Sequence, residues 1–218
     1  MGKLADFLAG LKVVEDVESP INGKVSVIKS LAFGTYLQVS GLTQSGGIIV
    51  DIWSKTLKKI KTQKSKVKNC LILGLGGGSL VKVVKKYWPE AKIVGVDIDP
   101  VMVDLGKKYL GLDKSDVNIY IEDAYDFLIQ NSKLKSKNYD LILVDLYVGD
   151  EFPKKFEDDN YIQHTRSVLA SSGVVVFNRL YYGGKRRQSM KFGEKLEKIF
   201  NKVDIVFPEA NVMFVCSD

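Results

Sequence analysis

Asn69-Cys-Leu-Ile-Leu-Gly-Leu-Gly-Gly-Gly-Ser79, with its continuation to Val94-Gly-Val-Asp-Ile-Asp99, decides how this chain folds. An apolar run, Cys70 to Leu73, meets glycines at 74, 76, 77 and 78. A helical pattern follows, then a second apolar run, Ile93 to Val96, that ends on Asp97. The pattern predicts a parallel strand, a turn almost free of side chains, a crossover helix and a second strand closed by a carboxylate. Missing β-carbons let a ligand lie against the backbone, and a carboxylate about 20 residues further on can accept both hydroxyls of a ribose. The unit therefore points to an adenosine-bearing ligand.

The glycines are contiguous, whereas the dinucleotide fingerprint places its third glycine three positions after the second, inside the helix. Here Ser79 and Leu80 open the helix. That arrangement suits a ligand whose carbon tail bends over the turn, without a pyrophosphate on the helix end. It favours S-adenosylmethionine or a relative over NAD.

Upstream of the turn, residues 13–53 read as short antiparallel strands, with Val25 and Val27 alternating with polar neighbours and glycines at 34, 41, 46 and 47 as punctuation. Leu4, Phe7, Leu8 and Leu11 suggest a short amphipathic helix that docks on the body or on a partner chain. Downstream the pattern alternates strand and helix, which implies a mainly parallel sheet covered on both faces. Asp99-Pro100 is a cap and first-turn pair opening a helix that Gly111 ends. Strands are expected at 117–121, 141–144 and 174–177, a helix at 187–200, and two closing strands at 203–207 and 212–216. The short connection after Phe207 makes one of those last two antiparallel. Three segments result: 1–54, a helix and small β-region; 55–68, a lysine-rich helix or linker; and 69–218, a nucleoside-binding transferase domain.

The net charge of +6 raises the question of a nucleic-acid partner. Lysines 55, 58, 59, 61, 64, 66 and 68 carry much of it with no acid between them. No aromatic residues interleave with them to stack bases, so a solvated helix face and loop is the expected reading and nucleic acid has weak support. No apolar stretch approaches the 18–20 residues or so that span a bilayer, and the N-terminus lacks a signal-peptide core. Cys70 and Cys216 fall in apolar runs and read as buried free thiols in a reducing cytoplasm, with no metal site expected.

The strand ends collect acids: Asp97, then Glu122-Asp123, then Asp145. In an open α/β sheet, ligands bind at those ends. Asp97 is assigned to the ribose and Asp123, with Ala124, to the adenine. Asp145 closes Tyr139-Asp-Leu-Ile-Leu-Val-Asp, where an acceptor would meet a reactive sulfur, and is the expected catalytic residue. Asp140 is expected in a turn, and His164 on a helix without a catalytic role.

Val96-Asp-Ile-Asp-Pro100, Glu122-Asp-Ala-Tyr-Asp-Phe-Leu128, the Asp145 strand and Phe33-Gly-Thr-Tyr-Leu-Gln-Val-Ser-Gly-Leu-Thr-Gln44 together resemble the spermidine-synthase-like (polyamine aminopropyltransferase) family within the class I S-adenosylmethionine-dependent methyltransferase fold. The resemblance implies a Rossmann-like α/β domain with a mainly parallel seven-stranded sheet, a small N-terminal antiparallel β-region and a homodimer. It implies a cofactor site at Gly74, Gly76, Gly77, Gly78, Asp97, Ile98, Asp123 and Ala124, and substrate contacts at Gln44, Trp53, Tyr147 and Asp150. Three departures bear on the chemistry. Gly77 stands where aminopropyltransferases carry an aspartate, Val148 replaces a second acid, and Trp53-Ser54 occupies the place of a diamine-holding pair. Both lost acids would have met cationic amines, and an unpaired buried amine is costly. The expectation is a cytoplasmic enzyme that uses S-adenosylmethionine to methylate a nitrogen or oxygen of a small-molecule acceptor. The alternatives are aminopropyl transfer from decarboxylated S-adenosylmethionine and a non-catalytic nucleoside-binding protein.

Overall fold

A computed structural model describes residues 10–133 and 139–218. The N-terminal helix expected over Leu4 to Leu11 falls almost wholly on residues 1–9, outside the described ones.

Four strands, β1 (Leu11–Ser19), β2 (Gly23–Ser30), β3 (Gly34–Val39) and β4 (Leu42–Gly46), form an antiparallel meander in that order. Helix α1 (Ile48–Gln63) then enters the larger unit, which alternates β5 (Asn69–Leu73), α2 (Ser79–Tyr87), β6 (Lys92–Asp97), α3 (Pro100–Leu110), β7 (Asn118–Ile121), α4 (Ala124–Lys133) and β8 (Tyr139–Val144). It closes with α5 (Asp159–Ser167), β9 (Leu169–Leu180), α6 (Lys185–Ile199), β10 (Lys202–Val206) and β11 (Asn211–Ser217). The second sheet runs β10-β11-β9-β8-β5-β6-β7. Its β5 to β9 pairings are parallel, and β11 alone is reversed against both its neighbours. This is the Rossmann-like methyltransferase fold, with the antiparallel closing strand the short hairpin required.

Alternate residues of the buried strands feed two cores. Leu71, Leu73, Ile142 and Val144 pack against α4, α5 and α6 on one face. Cys70, Ile72, Leu141 and Leu143 pack against α1 and α2 on the other. Period-two alternation in a sheet covered on both sides makes every strand residue apolar, as Cys70 to Leu73 shows. Both cysteine thiols are buried and free, and burial pushes their pKa values up.

Helix α1 begins at Ile48, well before the lysine-rich stretch expected to open it. Ile52, Trp53, Leu57 and Ile60 recur at helical spacing and are buried, so the boundary drawn after residue 54 cuts through one helix, whereas the one after residue 68 falls where β5 begins. Two of the lysines there hold on to the backbone or to a ring. Lys61 and Lys64 donate to the carbonyls of Ser65 and Ser172, and Lys61 also lies over the Trp88 ring. Among the described residues no helix is long and apolar enough to cross a membrane.

The small sheet is fastened to the large unit at α3. Val25, Val27, Leu37 and Val39 pack on Met102, Leu105 and Leu110. Asp99, fully buried, caps α3 by accepting from the backbone N–H groups of Val101 and Met102 through Oδ1. Its Oδ2 accepts from the Ser19 hydroxyl and from Nδ2 of Asn22, which leave β1. One carboxylate thus both starts a helix and joins two sheets.

Candidate functional site

Register alone brings the expected site together. Leu73 pairs with Val96 on one side and Val144 on the other, so Gly74 sits one step further, between Asp97 and Asp145. The strand order reverses at this same place, with β6 and β8 on opposite sides of β5, and there a crevice must open. It does: a cleft of about 430 Å³ runs over the carboxyl ends of the strands. Gly74, Gly76, Asp97, Ile98, Asp123, Ala124 and Asp145 line it, as do Gln44 and Tyr147.

The glycines serve different ends. A β-carbon on Gly74 would lie 2.1 Å from the Asp145 carbonyl oxygen, at a backbone φ of +88°. Gly76 donates its N–H to Oδ2 of Asp97 at 2.6 Å, which fixes the carboxylate expected to meet the ribose. Gly77 and Gly78 do not line the cleft. A β-carbon on Gly77 would come within 2.7 Å of Leu110 and 3.0 Å of Leu37, and one on Gly78 within 2.5 Å of Leu112. These two are bare so that the turn can pack on α3 and the segment after it.

Asp97 also accepts from the Asp99 backbone N–H at 2.9 Å. Its pKa is raised: burial is the largest cause, and the charges of Asp99 and Asp145 add to it against the two backbone N–H bonds. Asp123 caps α4 through the Tyr125 N–H at 2.8 Å, and its other oxygen meets the Lys155 ammonium. Lys155 belongs to the short 3-10 turn Lys154–Glu157.

Asp145 follows β8 and is held from two sides. Trp53, wholly buried on α1, donates its indole N–H to Oδ2 at 3.0 Å. Asn178 of β9 donates from Nδ2 to Oδ1 at 2.7 Å. Val144 pairs with Phe177, so Asn178 lies directly beside Asp145. Asn211 of β11 in turn donates to Oδ1 of Asn178 at 2.8 Å, which fixes the direction of the chain of donors. Burial raises the Asp145 pKa, and the Asn178 and Trp53 bonds work against that rise. A carboxylate whose proton affinity is raised and whose rotamer is fixed is suited to accept a proton from an incoming nucleophile.

Of the other expected contacts, Gln44 donates from Nε2 to the Gly149 carbonyl at 2.9 Å, so the small sheet closes over the loop after β8. Tyr147 accepts from the Leu180 N–H at 2.7 Å, and burial raises its pKa. Trp53 lies behind Asp145 and not in the lining of the cleft. Asp150 also lies outside that lining, paired with Lys185 at 2.9 Å. Val148 is 39% exposed in the cleft wall. Asp140, expected in a turn, lies in β8 and accepts the N–H groups of Lys68 and Asn69 at the foot of the sheet, and His164 of α5 stands beside the Tyr125 ring of α4, outside the cleft lining.

Asn178, Asn211, Lys155 and Glu209 were not expected in the site. Each is polar and unremarkable in sequence, and only β9, the β10–β11 turn and the 3-10 turn bring them in. The charge they leave is one-sided. Asp97, Glu122, Asp123, Asp145 and Glu209 line the cleft, with Lys155 the only lysine or arginine among its described lining residues. A negative cleft in a chain of net charge +6 favours a cationic ligand. The carboxylates expected to meet a ribose and an exocyclic amine, Asp97 and Asp123, thus lie together in one acid-lined cleft.

These features define a Rossmann-like α/β domain of the methyltransferase fold. Residues 53–214 match the spermine/spermidine synthase domain, and the chain belongs to that family. It is 28% identical over 153 residues to the mouse (Mus musculus) eEF1A lysine and N-terminal methyltransferase, covering 67% of this chain and 22% of that protein. It is 33% identical over 114 residues to a polyamine aminopropyltransferase of Vibrio vulnificus, covering 52% and 38% respectively. This chain therefore aligns with well under half of either relative's length. Among solved structures, human methyltransferase-like protein 13 in complex with SAH superposes with a TM-score of 0.61 at 24% identity, over 70% of this chain and 72% of that one. The spermidine synthase of Thermotoga maritima gives 0.72 at 16% identity, over 94% and 72%.

Proposed function

We propose that this chain transfers a methyl group from S-adenosylmethionine to an amine nitrogen. The observation that carries the reading is Asp145, fixed by Trp53 and Asn178 at the end of β8 in an acid-lined cleft. Bound S-adenosylmethionine would supply an electrophilic methyl on a sulfonium. Asp97 would hold the ribose, Asp123 the adenine amine once Lys155 yields it, and the acidic floor would favour the positive sulfur. Asp145 would orient the acceptor amine and take its proton as the N–C bond forms. Most of the catalysis is positioning, since an in-line displacement needs its two partners held in near contact.

Relatives include both methyltransferases and aminopropyltransferases, so the choice rests on this chain's residues. In the cleft wall Val148 offers no carboxylate to the free ammonium of decarboxylated S-adenosylmethionine, and Gly77, packed on Leu110 and Leu37, lies outside the lining. The wall beside the reaction centre is instead Asp145 with an amide, Asn178, which can accept or donate to an amine.

The test supplies S-adenosylmethionine with a primary amine, lysinamide, and in parallel decarboxylated S-adenosylmethionine with 1,4-diaminobutane. Mass spectrometry is expected to show methylated lysinamide and S-adenosylhomocysteine (SAH) in the first reaction only. Methylthioadenosine and an aminopropylated diamine in the second, with nothing in the first, would establish aminopropyl transfer instead. SAH binding without product in either reaction would favour the nucleoside-binding alternative.

A further inference from the structure

Asp150 lines a second cavity, of about 220 Å³, between the loop after β8, the end of β9 and the first turn of α6. Tyr147 and Leu180 belong both to its wall and to that of the main cleft. The chemistry of the two differs. Five acids face one lysine along the cleft, whereas here Asp150, Glu151 and Glu157 stand against Lys154, Arg179 and Lys185. The least exposed of these is Arg179, at 4%, its guanidinium carbon 4.2 and 4.8 Å from the ring centres of Phe152 and Phe192. Its Nη2 donates to Oε1 of Glu157 at 2.6 Å. Its Nη1 is buried and has no hydrogen-bond partner among the described residues. Leaving a buried donor of a charged group without an acceptor is costly. An oxyanion brought from outside the chain would satisfy it.

The remaining charges decide what else such a ligand carries. Glu157 neutralises Arg179. Asp150 and Glu151 share a single ammonium, that of Lys185, at 2.9 and 3.0 Å, so this trio keeps one negative charge in excess. Lys154, on the 3-10 turn, makes no ion pair among the described residues and adds one positive charge. Helix α6 has no acid in its first turn, so its positive end, where Gln188 and Ser189 line the cavity, is also open to an anion. We propose that this cavity binds a free amino acid, with its carboxylate on Nη1 of Arg179 and its ammonium at Asp150 and Glu151, Lys154 supplying the counter-charge to the carboxylate. A zwitterion has one charge of each sign, which is the balance that the lining leaves open. The inference does not depend on the proposed methyl transfer. It does place an occupant against Tyr147, the wall residue common to both cavities, whose hydroxyl accepts from the Leu180 N–H and lies within the influence of Arg179.

The test adds each of the protein amino acids in turn to the full chain, reads binding by saturation-transfer NMR and measures the tightest by calorimetry. At least one is expected to bind with a dissociation constant of roughly 1 mM or below. Its amide, which lacks the carboxylate, and its N-acetyl derivative, which lacks the ammonium, should each bind about tenfold or more weakly, the scale of one charged hydrogen bond. Arg179→Met should abolish binding, but a change at so buried a site can also unfold the protein. Two exposed positions therefore carry the test. Lys154→Met should shrink the preference over the amide and keep that over the N-acetyl derivative, and Glu151→Gln should do the reverse. A merely loosened protein would lose both preferences alike. Saturating SAH should leave amino-acid affinity within about twofold, since the two ligands occupy separate cavities. No binding by any amino acid, equal binding of the amide and N-acetyl derivatives, preferences that move together in both variants or not at all, or displacement by SAH would each overturn the proposal. Failure of the protein to bind SAH would remove the cofactor reading instead, and the two exposed variants would still decide the role of this cavity.

Discussion

Asp145 shows how a single residue can be legible in position and illegible in setting. The apolar run ending on an acid located it, as it located Asp97 at the end of β6. The run said nothing of Trp53 or Asn178, because one lies 92 residues earlier and the other 33 later, and only helix docking and strand register join them. Their bonds have a consequence for pH. Burial holds the Asp145 pKa above the ordinary carboxylate value of about 3.9, and the two donors restrain the rise. The proton-accepting form is therefore lost as pH falls through this raised pKa, and methyl transfer is expected to fall on the acid side at a pH above that ordinary value. Trp53→Phe removes one donor and should move that acid limb to higher pH, and Asn178→Leu should do the same, with SAH binding kept. Stability follows the matching sign. A folded-state pKa above the unfolded one contributes stability that is complete below the unfolded value and is lost as pH rises through the folded value. A limb that stays in place in both variants would show that it reports some other group.

Elements were legible where local chemistry agreed with tertiary packing. Asp99-Pro100 and Gly111 bound α3 as expected, with Pro100 in its first turn and Gly111 left-handed at its end. Helix α1 was not legible at its start. Gly46-Gly47 read as a turn and Ile48-Ile-Val50 as strand, since β-branched residues favour strands. Burial of Ile52, Trp53, Leu57 and Ile60 on one face overrides that preference. The glycine turn was legible as a turn, but Gly77 and Gly78 owe their missing side chains to Leu110 and Leu112, which sequence spacing could not reveal. Asp99 offers the sharpest test at this scale. Asp99→Ala removes a cap worth about 1 kcal/mol and leaves the Ser19 hydroxyl without its acceptor, a loss of about 1–3 kcal/mol for a buried group. A combined destabilisation on the order of 2–4 kcal/mol is expected in urea unfolding. A loss no larger than that of an ordinary surface substitution would mean that Asp99 does not join the two sheets.

At the scale of the whole molecule, the cleft belongs to neither sheet alone. Ile21, Asn22, Thr43, Gln44 and Ser45 come from the small sheet and its turns, Asp97, Glu122, Asp123 and Asp145 from the ends of β6, β7 and β8, and Glu209 from the β10–β11 turn. The two units share the α3 packing, the Asp99 bonds and a buried pair in which the Ser45 and Ser79 hydroxyls lie 2.8 Å apart. A ligand that touches both should tighten the joint between them and leave the outer edges of the large sheet unchanged. Ligand held at 100 times its dissociation constant stabilises a single-site protein by about 2.7 kcal/mol, so saturating SAH should raise the unfolding temperature by several degrees. Hydrogen exchange gives the more specific reading. Amides of Thr43 to Ser45, which reach the cleft from β4, are expected to slow on SAH binding together with those of Gly74 to Gly76. Those of β10 should slow only as far as global stability rises. Protection confined to the glycine turn, with β4 unaffected, would show that the nucleoside is held by the large sheet alone and that Gln44 and its neighbours serve the acceptor or nothing at all.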